Sequence, residues 1–347
     1  METYLNPSPA KPVTIGLIGA GRIGRMHVEH LATRIPGARL AAIADVNLEA
    51  AQAVAAHYSI PIAVANYQAL LANEAINAVA ICSATDTHAQ IIQEAAAAGK
   101  HIFCEKPIDF NLRRIDETLA LVDKSGVKFQ LGFNRRFDVN FRRAHQMVAD
   151  GKIGAPHILR ITSRDPSPPP IAYIKTSGGI FLDMTIHDFD MARYLIGSEV
   201  VELYATGGVM VDAKIGEVGD LDTTVITLRF ANGAIGTIDN SRQAVYGYDQ
   251  RVEVFGSKGM VTVENPAQDV VRLSSAANVQ TSLPPYFFLE RYKDAYIAEL
   301  TAFIAAVQKD LPPLVTGIDG RIPVVMGLAA DKSYRENRVV RLVEIAG

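Results

Sequence analysis

VTIGLIGAGRIG, residues 13–24, decides the reading of this chain. Val13 to Ile18 is an uninterrupted apolar run, the pattern of a parallel strand buried on both faces. It leads directly into Gly19-Ala20-Gly21-Arg22-Ile23-Gly24, a G-x-G-x-x-G. A helix is expected over Arg25 to Ile35, because Ile23, His27, Leu31 and Ile35 recur at helical spacing. Strand, glycine turn and helix form the context a dinucleotide site requires. Gly19 permits the tight turn, Gly21 lets backbone approach a pyrophosphate, and Gly24 lets the helix lie close on the strand. The helix N-terminus offers unpaired N–H groups and partial positive charge to the phosphates. Arg22 and Ile23, inside the glycine turn, join the glycines as cofactor-binding candidates.

A G-x-G-x-x-G alone also occurs in unrelated α/β turns, so the next strand matters. Arg39 to Ala44 (RLAAIA) ends in Asp45, 21 residues after Gly24. That is close to the roughly 20 expected for the acid that holds the ribose. A carboxylate there accepts from ribose hydroxyls and repels a 2′-phosphate, which favours NAD over NADP. The competing reading makes Asp45 an ordinary helix cap.

Working outward, 347 residues accommodate two domains of about 100–200 each. Apolar residues make up 49% and charged residues 20%, a globular balance, and the net charge of −3 offers no electrostatic partner for nucleic acid. The locally basic stretch Asn134 to Arg143 has no wider basic surface to join. The N-terminus METYLNPSPAKP lacks a signal-peptide pattern, and no stretch reaches the about 18 apolar residues of a membrane span. Two cysteines, Cys82 and Cys104, at predicted strand ends suit a reducing compartment, and a cytoplasmic location is expected.

Residues 1–12 read as a loosely held extension. Strands at 39–44, 62–65, 78–82, 101–104 and 128–132 alternate with helices at 47–58, 67–71, 88–98 and 112–125. This is a doubly wound parallel sheet, an NAD-binding Rossmann domain over 13–134. From 135 to 347 the pattern becomes α+β. A helix at 140–150 precedes strands at 157–162, 200–207, 223–230, 234–240, 250–255 and 260–263, which form a large, mostly antiparallel open sheet. Ala231-Asn232-Gly233 and Gly256 to Gly259 supply hairpin turns. A Pro-rich loop spans Asp165 to Pro170, one helix runs from about Met184 to Ile196, and two tail helices, near Tyr292 to Lys309 and Pro323 to Glu336, are free to pack back on the first domain.

Three stretches carry chemistry. Ser83 to His88 follows a strand at the edge where such sheets bind ligands, so Ser83, Thr85 and His88 are cofactor candidates, although Thr85 to Thr87 also suit helix capping. Glu105-Lys106-Pro107 follows the next strand. There the Lys106 ammonium would project toward the nicotinamide end, and Pro107 constrains it toward extended backbone. In Ser177 to Tyr194 (SGGIFLDMTIHDFDMARY), Asp183 and His187 are spaced i, i+4, with Asp190 three further on. An Asp beside a His raises its basicity, and alcohol oxidation needs a general base near neutral pH. A buried structural His is the alternative. The spacing matches no metal motif, and no metal is expected.

Taken together, G19-x-G21-x-x-G24, Glu105-Lys106-Pro107 and Gly178-Gly179…Asp183-x-x-x-His187-Asp188-x-Asp190 resemble the glucose–fructose oxidoreductase, inositol dehydrogenase and MocA family along nearly the whole chain. GFNRRFD (132–138), FLDMTIHDFDMARYL and AVYGYDQRVEVFG (244–256) are most similar to its inositol 2-dehydrogenases. The resemblance implies NAD-dependent oxidation of a ring hydroxyl of a cyclic polyol, myo-inositol first, to a keto-inositol. It implies that His187 takes the hydroxyl proton, that Lys106 and Asp183 hold the reacting oxygen, that Lys106 also touches the nicotinamide ribose, and that Glu105 is among the cofactor-binding residues. Tyr246, Asn134, Arg135, Arg164 and Asp165 are the further polyol contacts it suggests. A homotetramer built on the open sheet face is implied as well. Scyllo-inositol or an aldose as substrate stays open. So does a non-enzymatic dinucleotide-binding regulator, although such a protein has no use for Lys106, Asp183 and His187.

Overall fold

A computed structural model of the chain describes residues 11–346. The expected extension at 1–12 lies, apart from Lys11 and Pro12, outside the described residues. The chain divides into two compact units, one holding the chain up to Gly132 with Tyr296–Gly317, the other Phe133–Ala295 with Ile318–Gly347.

The first unit contains β1 (Val13–Ile18), α1 (Arg22–Thr33), β2 (Ala38–Ala44), α2 (Leu48–Tyr58), β3 (Ile62–Val64), α3 (Gln68–Leu71), β4 (Ala78–Ile81), α4 (Thr85–Ala97), β5 (His101–Glu105), α5 (Leu112–Ser125) and β6 (Phe129–Gly132). The strands pair in the order β3-β2-β1-β4-β5-β6, every neighbour parallel. All six residues of β1 are buried, as a strand covered on both faces requires. Ile15, Leu17, Ile43 and Phe103 from the sheet meet Val28 and Leu31 of α1 and Val54 of α2. Each such side chain contributes roughly 1.5–3 kcal/mol on full burial.

The second unit contains α6 (Val139–Ala149), β7 (Pro156–Arg164), α7 (Ile171–Ile174), α8 (Gly179–Asp183), α9 (Ile186–Ile196), β8 (Val200–Gly208), α10 (Ala213–Glu217), β9 (Thr223–Phe230), β10 (Ile235–Ser241), β11 (Asp249–Gly256), β12 (Gly259–Val263), β13 (Arg272–Ser274), β14 (Val279–Thr281) and α11 (Phe288–Arg291). Then α12 (Lys293–Gln308) carries the chain back into the first unit, where Leu300, Phe303 and Ile304 join its core. α13 (Gly317–Glu336), β15 (Val340–Arg341) and α14 (Val343–Ala346) close the chain. The large sheet runs β12-β11-β7-β10-β9-β8-β15, antiparallel except where β7 and β10 pair parallel. Along β9 the alternation is complete: Thr224, Ile226, Leu228 and Phe230 are buried, while Val225 faces outward.

Several elements differ from the sequence reading. α1 and α4 each begin three residues early, at Arg22 and Thr85. α13 begins at Gly317 with Pro323 inside it, although proline suits a first turn better. The short hairpin β13–β14 has no alternating pattern to announce it. The helix expected from about Met184 to Ile196 is present from Ile186, but a separate α8 ends at Asp183 just before it, so the helical stripe joining Asp183 to His187 is interrupted by a break. Thr185 causes the break. Its hydroxyl donates to Asn240 Oδ1 at 2.6 Å and lies 3.2 Å from the Ile180 carbonyl, so side-chain bonds compete with the helical ladder there.

Candidate active site

In the first unit the glycines have separate steric duties. Gly19 has φ +103°, and a Cβ there would stand 2.5 Å from the Cys82 carbonyl oxygen. A Cβ on Gly24 would lie 1.8 Å from the Gly19 carbonyl oxygen, so only glycine lets α1 approach β1. Gly21 is the residue preceding α1, and a Cβ on it would meet nothing within 4 Å. No side chain caps α1 and no acid occupies its first turn. Its N–H groups therefore open onto free space beside Gly21, a cradle that fits a pyrophosphate. Arg22 is exposed and Ile23 half-buried in this first turn.

Asp45, at the end of β2, accepts from Ala20 N at 2.6 Å through Oδ2 and from Asn47 N at 2.8 Å through Oδ1. Its carboxylate is thus tied to the glycine turn and retains lone pairs for further donors. The residues present fit an NAD.

The N-terminus of α4 is a second uncapped end. Ala84 is in the cap position without a side-chain bond, and Thr85 is the first helical residue. The capping role considered for Thr85 to Thr87 is therefore not the one they play. Thr87 Oγ1 instead donates to the Ala84 carbonyl and lies 2.7 Å from Ser83 Oγ. His88 is buried, with Nδ1 2.7 Å from the Pro107 carbonyl and Nε2 3.1 Å from that of Ser83. Burial lowers its pKa, so the ring is neutral and donates from one nitrogen only. The shorter contact, to Pro107, ties the first turn of α4 to the turn after β5. Glu105 ends β5 and receives His27 Nε2 at 2.7 Å. Lys106, next along, is half-buried, and its bond to Pro107 is cis.

In the second unit, Asp183 is half-buried and held from two sides. Tyr173 donates its hydroxyl to Oδ1 at 2.7 Å, and Arg242 Nη1 donates to Oδ2 at 3.2 Å. Arg242 is 1% exposed and also reaches Asp220 at 3.3 Å. Asp220 in turn accepts from Ile180 N at 2.9 Å and presses against Gly179, so the Gly178-Gly179 bend at φ +86° and +79° exists to bring backbone onto this carboxylate. His187, second residue of α9, is half-buried with its ring edge-on to Phe133 at 5.9 Å. Asp190 does not attend His187 in the way the spacing suggested: Arg136 grips it with Nε at 2.9 Å and Nη2 at 2.6 Å.

Asp165 follows β7. Burial, together with the Asp183 charge, lifts its carboxyl to about 7 despite the opposing influence of Arg242 and Arg135. Asn134 is buried. Arg135 is buried too, and its guanidinium is engaged with Asp188 Oδ1 at 2.5 Å while Asn240 donates to Oδ2 at 2.8 Å. Arg164 bonds Asp239 at 2.8 Å and lies 3.4 Å from the Tyr246 hydroxyl, which donates to Asp249 at 2.6 Å. Sequence reasoning passed over Tyr173, Asp220 and Arg242. The only signal was polar residues beyond a strand end, at Ser241-Arg242-Gln243.

Residues 13–133 match the model of the oxidoreductase family with an NAD-binding Rossmann fold, and residues 141–262 match that of the GFO/IDH/MocA C-terminal domain. Myo-inositol 2-dehydrogenase of Thermotoga maritima is 49% identical over 96% of this chain and 99% of its own length. Inositol 2-dehydrogenase of Rhizobium meliloti is 46% identical over 95% and 99%. The crystal structure of scyllo-inositol dehydrogenase from Lactobacillus casei, with bound NAD(H) and scyllo-inositol, is 30% identical, superposes with a TM-score of 0.91, and covers 96% of this chain and 100% of that one.

Proposed function

The chain belongs to the GFO/IDH/MocA family of NAD-binding oxidoreductases, and from that premise we propose that it is an inositol 2-dehydrogenase that oxidises one ring hydroxyl of myo-inositol to the keto-inositol. The likeness to proteins named inositol 2-dehydrogenase over nearly the whole chain carries this reading. The overall change is CH–OH plus NAD to C=O plus NADH and a proton. NAD, when bound, accepts the hydride.

His187 removes the hydroxyl proton. Its place at the start of α9 and its partial exposure leave the ring within reach of a small molecule. Asp183 orients the hydroxyls: with Tyr173 and Arg242 fixing its two oxygens, its lone pairs are aimed in advance. Lys106 holds the reacting oxygen and stabilises charge on it as the proton leaves. Asp165, Asn134, Arg164 and Tyr246 supply the polar wall a polyol demands. Arg135 acts by bracing α9 through Asp188. Gly19, Gly21, Arg22, Ile23 and Gly24 receive the pyrophosphate, Asp45 the ribose, and Ser83 and Thr85 border the nicotinamide side, with His88 fixing their turn.

The chain works as a tetramer in the cytoplasm. Outward Val225, Ile235 and Phe255 on the large sheet support the first statement, and the two buried free thiols support the second. Among the described residues no helix is long and apolar enough to cross a membrane. The test is NADH formation from NAD with myo-inositol, scyllo-inositol, chiro-inositol and glucose. Fastest turnover on myo-inositol is expected. Fastest turnover on another polyol moves the substrate, and none at all with NAD still bound favours a regulator.

A further inference from the structure

Beneath the turn that carries Lys106 lies a buried cluster that the proposed reaction does not use. His27 of α1, Glu105 of β5 and Glu299 of α12 present nitrogen and oxygen atoms within 4.8 Å of one another. His27 and Glu299 are both fully buried, and neither carboxyl oxygen of Glu299 has a hydrogen-bond partner. Glu299 is also fixed in place, since Gln130 of β6 donates to its backbone carbonyl at 2.7 Å. The ionisable groups facing Glu299 are His27, Glu105 and, at the end of β4, the Cys82 thiol, while Cys104 faces Glu105.

Two carboxylates this close, away from water, require a cation or a proton. A metal ion fits poorly. Tetrahedral ligands about 2.1 Å from one ion stand about 3.4 Å apart, whereas His27 Nε2 and Glu105 Oε1 are 2.7 Å apart, a hydrogen-bond spacing. An ionised Glu105 can only accept, so His27 donates to it. We propose that Glu299 is a positioning residue that holds a proton, so that the cluster's single negative charge stays on Glu105, where the His27 bond anchors the turn bearing Lys106. Burial first, and then the Glu105 charge, push Glu299 well above the usual carboxylate range, in keeping with this.

The inference rests on the reading of Lys106 as a site residue, and its test has a readout independent of that reading. A carboxyl raised in the folded state contributes stability that is present below its ordinary pKa and lost as pH rises through the raised one. Tm is measured against pH for the wild type, for Glu299→Gln and for Glu299→Met, the second replacement guarding against a fold lost to the amide. The wild-type Tm should fall toward alkaline pH relative to both variants, and the alkaline limb of wild-type turnover should move up by about one pH unit in Glu299→Gln. Parallel Tm profiles overturn the proposal. So does one equivalent of divalent metal in purified wild type that is missing from Glu299→Gln. A Tm difference without turnover of any polyol sinks the functional reading alone, whereas parallel Tm profiles in an active enzyme sink this inference alone.

Discussion

Arg242 reaches Asp183 with Nη1 3.2 Å from Oδ2 while its other nitrogen, Nη2, lies 3.3 Å from Asp220. A buried guanidinium between two carboxylates fixes both and offsets one of their two charges. It links the end of β10 to the Gly178-Gly179 bend and to the acid four residues before His187.

The first prediction follows from that link. Arg242→Leu leaves two partly buried acids without their cation, and losing one partner of a buried pair costs about 3–5 kcal/mol. Urea unfolding of the variant should show a loss at the lower end of that range, because Asp183 and Asp220 keep some solvent contact. A loss below about 1 kcal/mol would reduce Arg242 to a surface-type pair.

His187→Ala is expected to lower turnover by a factor of about 10² to 10⁴. NAD affinity, read by fluorescence titration, should stay within about twofold, a small fraction of the 1.4 kcal/mol that makes a decade. Near-normal turnover would return His187 to a packing role against Phe133.

Cofactor choice is predicted to depend on Asp45. Asp45→Ser removes the carboxylate that repels a 2′-phosphate, so the NADP-to-NAD ratio of kcat/KM should rise. The same change also weakens the bond to Ala20 N, so NAD affinity should fall. An unchanged ratio in steady-state assays with both cofactors would remove Asp45 from the ribose site.

Much of this was legible in the sequence because it rests on local constraints. Gly19 and Gly24 announced the nucleotide turn because a Cβ at either would strike backbone, and Gly21 joined them as the position that leaves space open beside the start of α1. The β1 run and the β9 alternation announced two kinds of sheet by period alone. The illegible part depended on partners distant in the chain. Asp183 and His187 looked like one helical stripe, and only Asn240, 55 residues beyond Thr185, breaks the helix between them. Arg135 looked like a substrate arm until Asp188, 53 residues on, accounted for its charge. Arg242 is unremarkable in sequence and central in space.

The last prediction concerns Asp165. Its carboxyl titrates near 7 in the folded protein, against an ordinary value of 3.8. The folded state therefore binds more proton than the unfolded chain between those values. The sign follows: the neutral Asp165 contributes stability that is present below the ordinary pKa and is lost as pH rises toward 7, with no further loss above it. Asp165→Asn keeps the shape and the neutral state and cannot ionise. Its Tm should therefore gain on the wild type as pH rises from about 4 to about 7 and then hold a constant lead. If Asp165 also meets the polyol, the wild-type KM should change as pH passes through about 7, where the folded-state carboxyl ionises, while the variant's stays flat. Parallel Tm curves would mean that the carboxyl ionises normally and that the facing charges of Asp183 and Asp188 do not reach it. A Tm difference with no KM difference would keep the half-buried acid in the fold and take it out of the substrate wall.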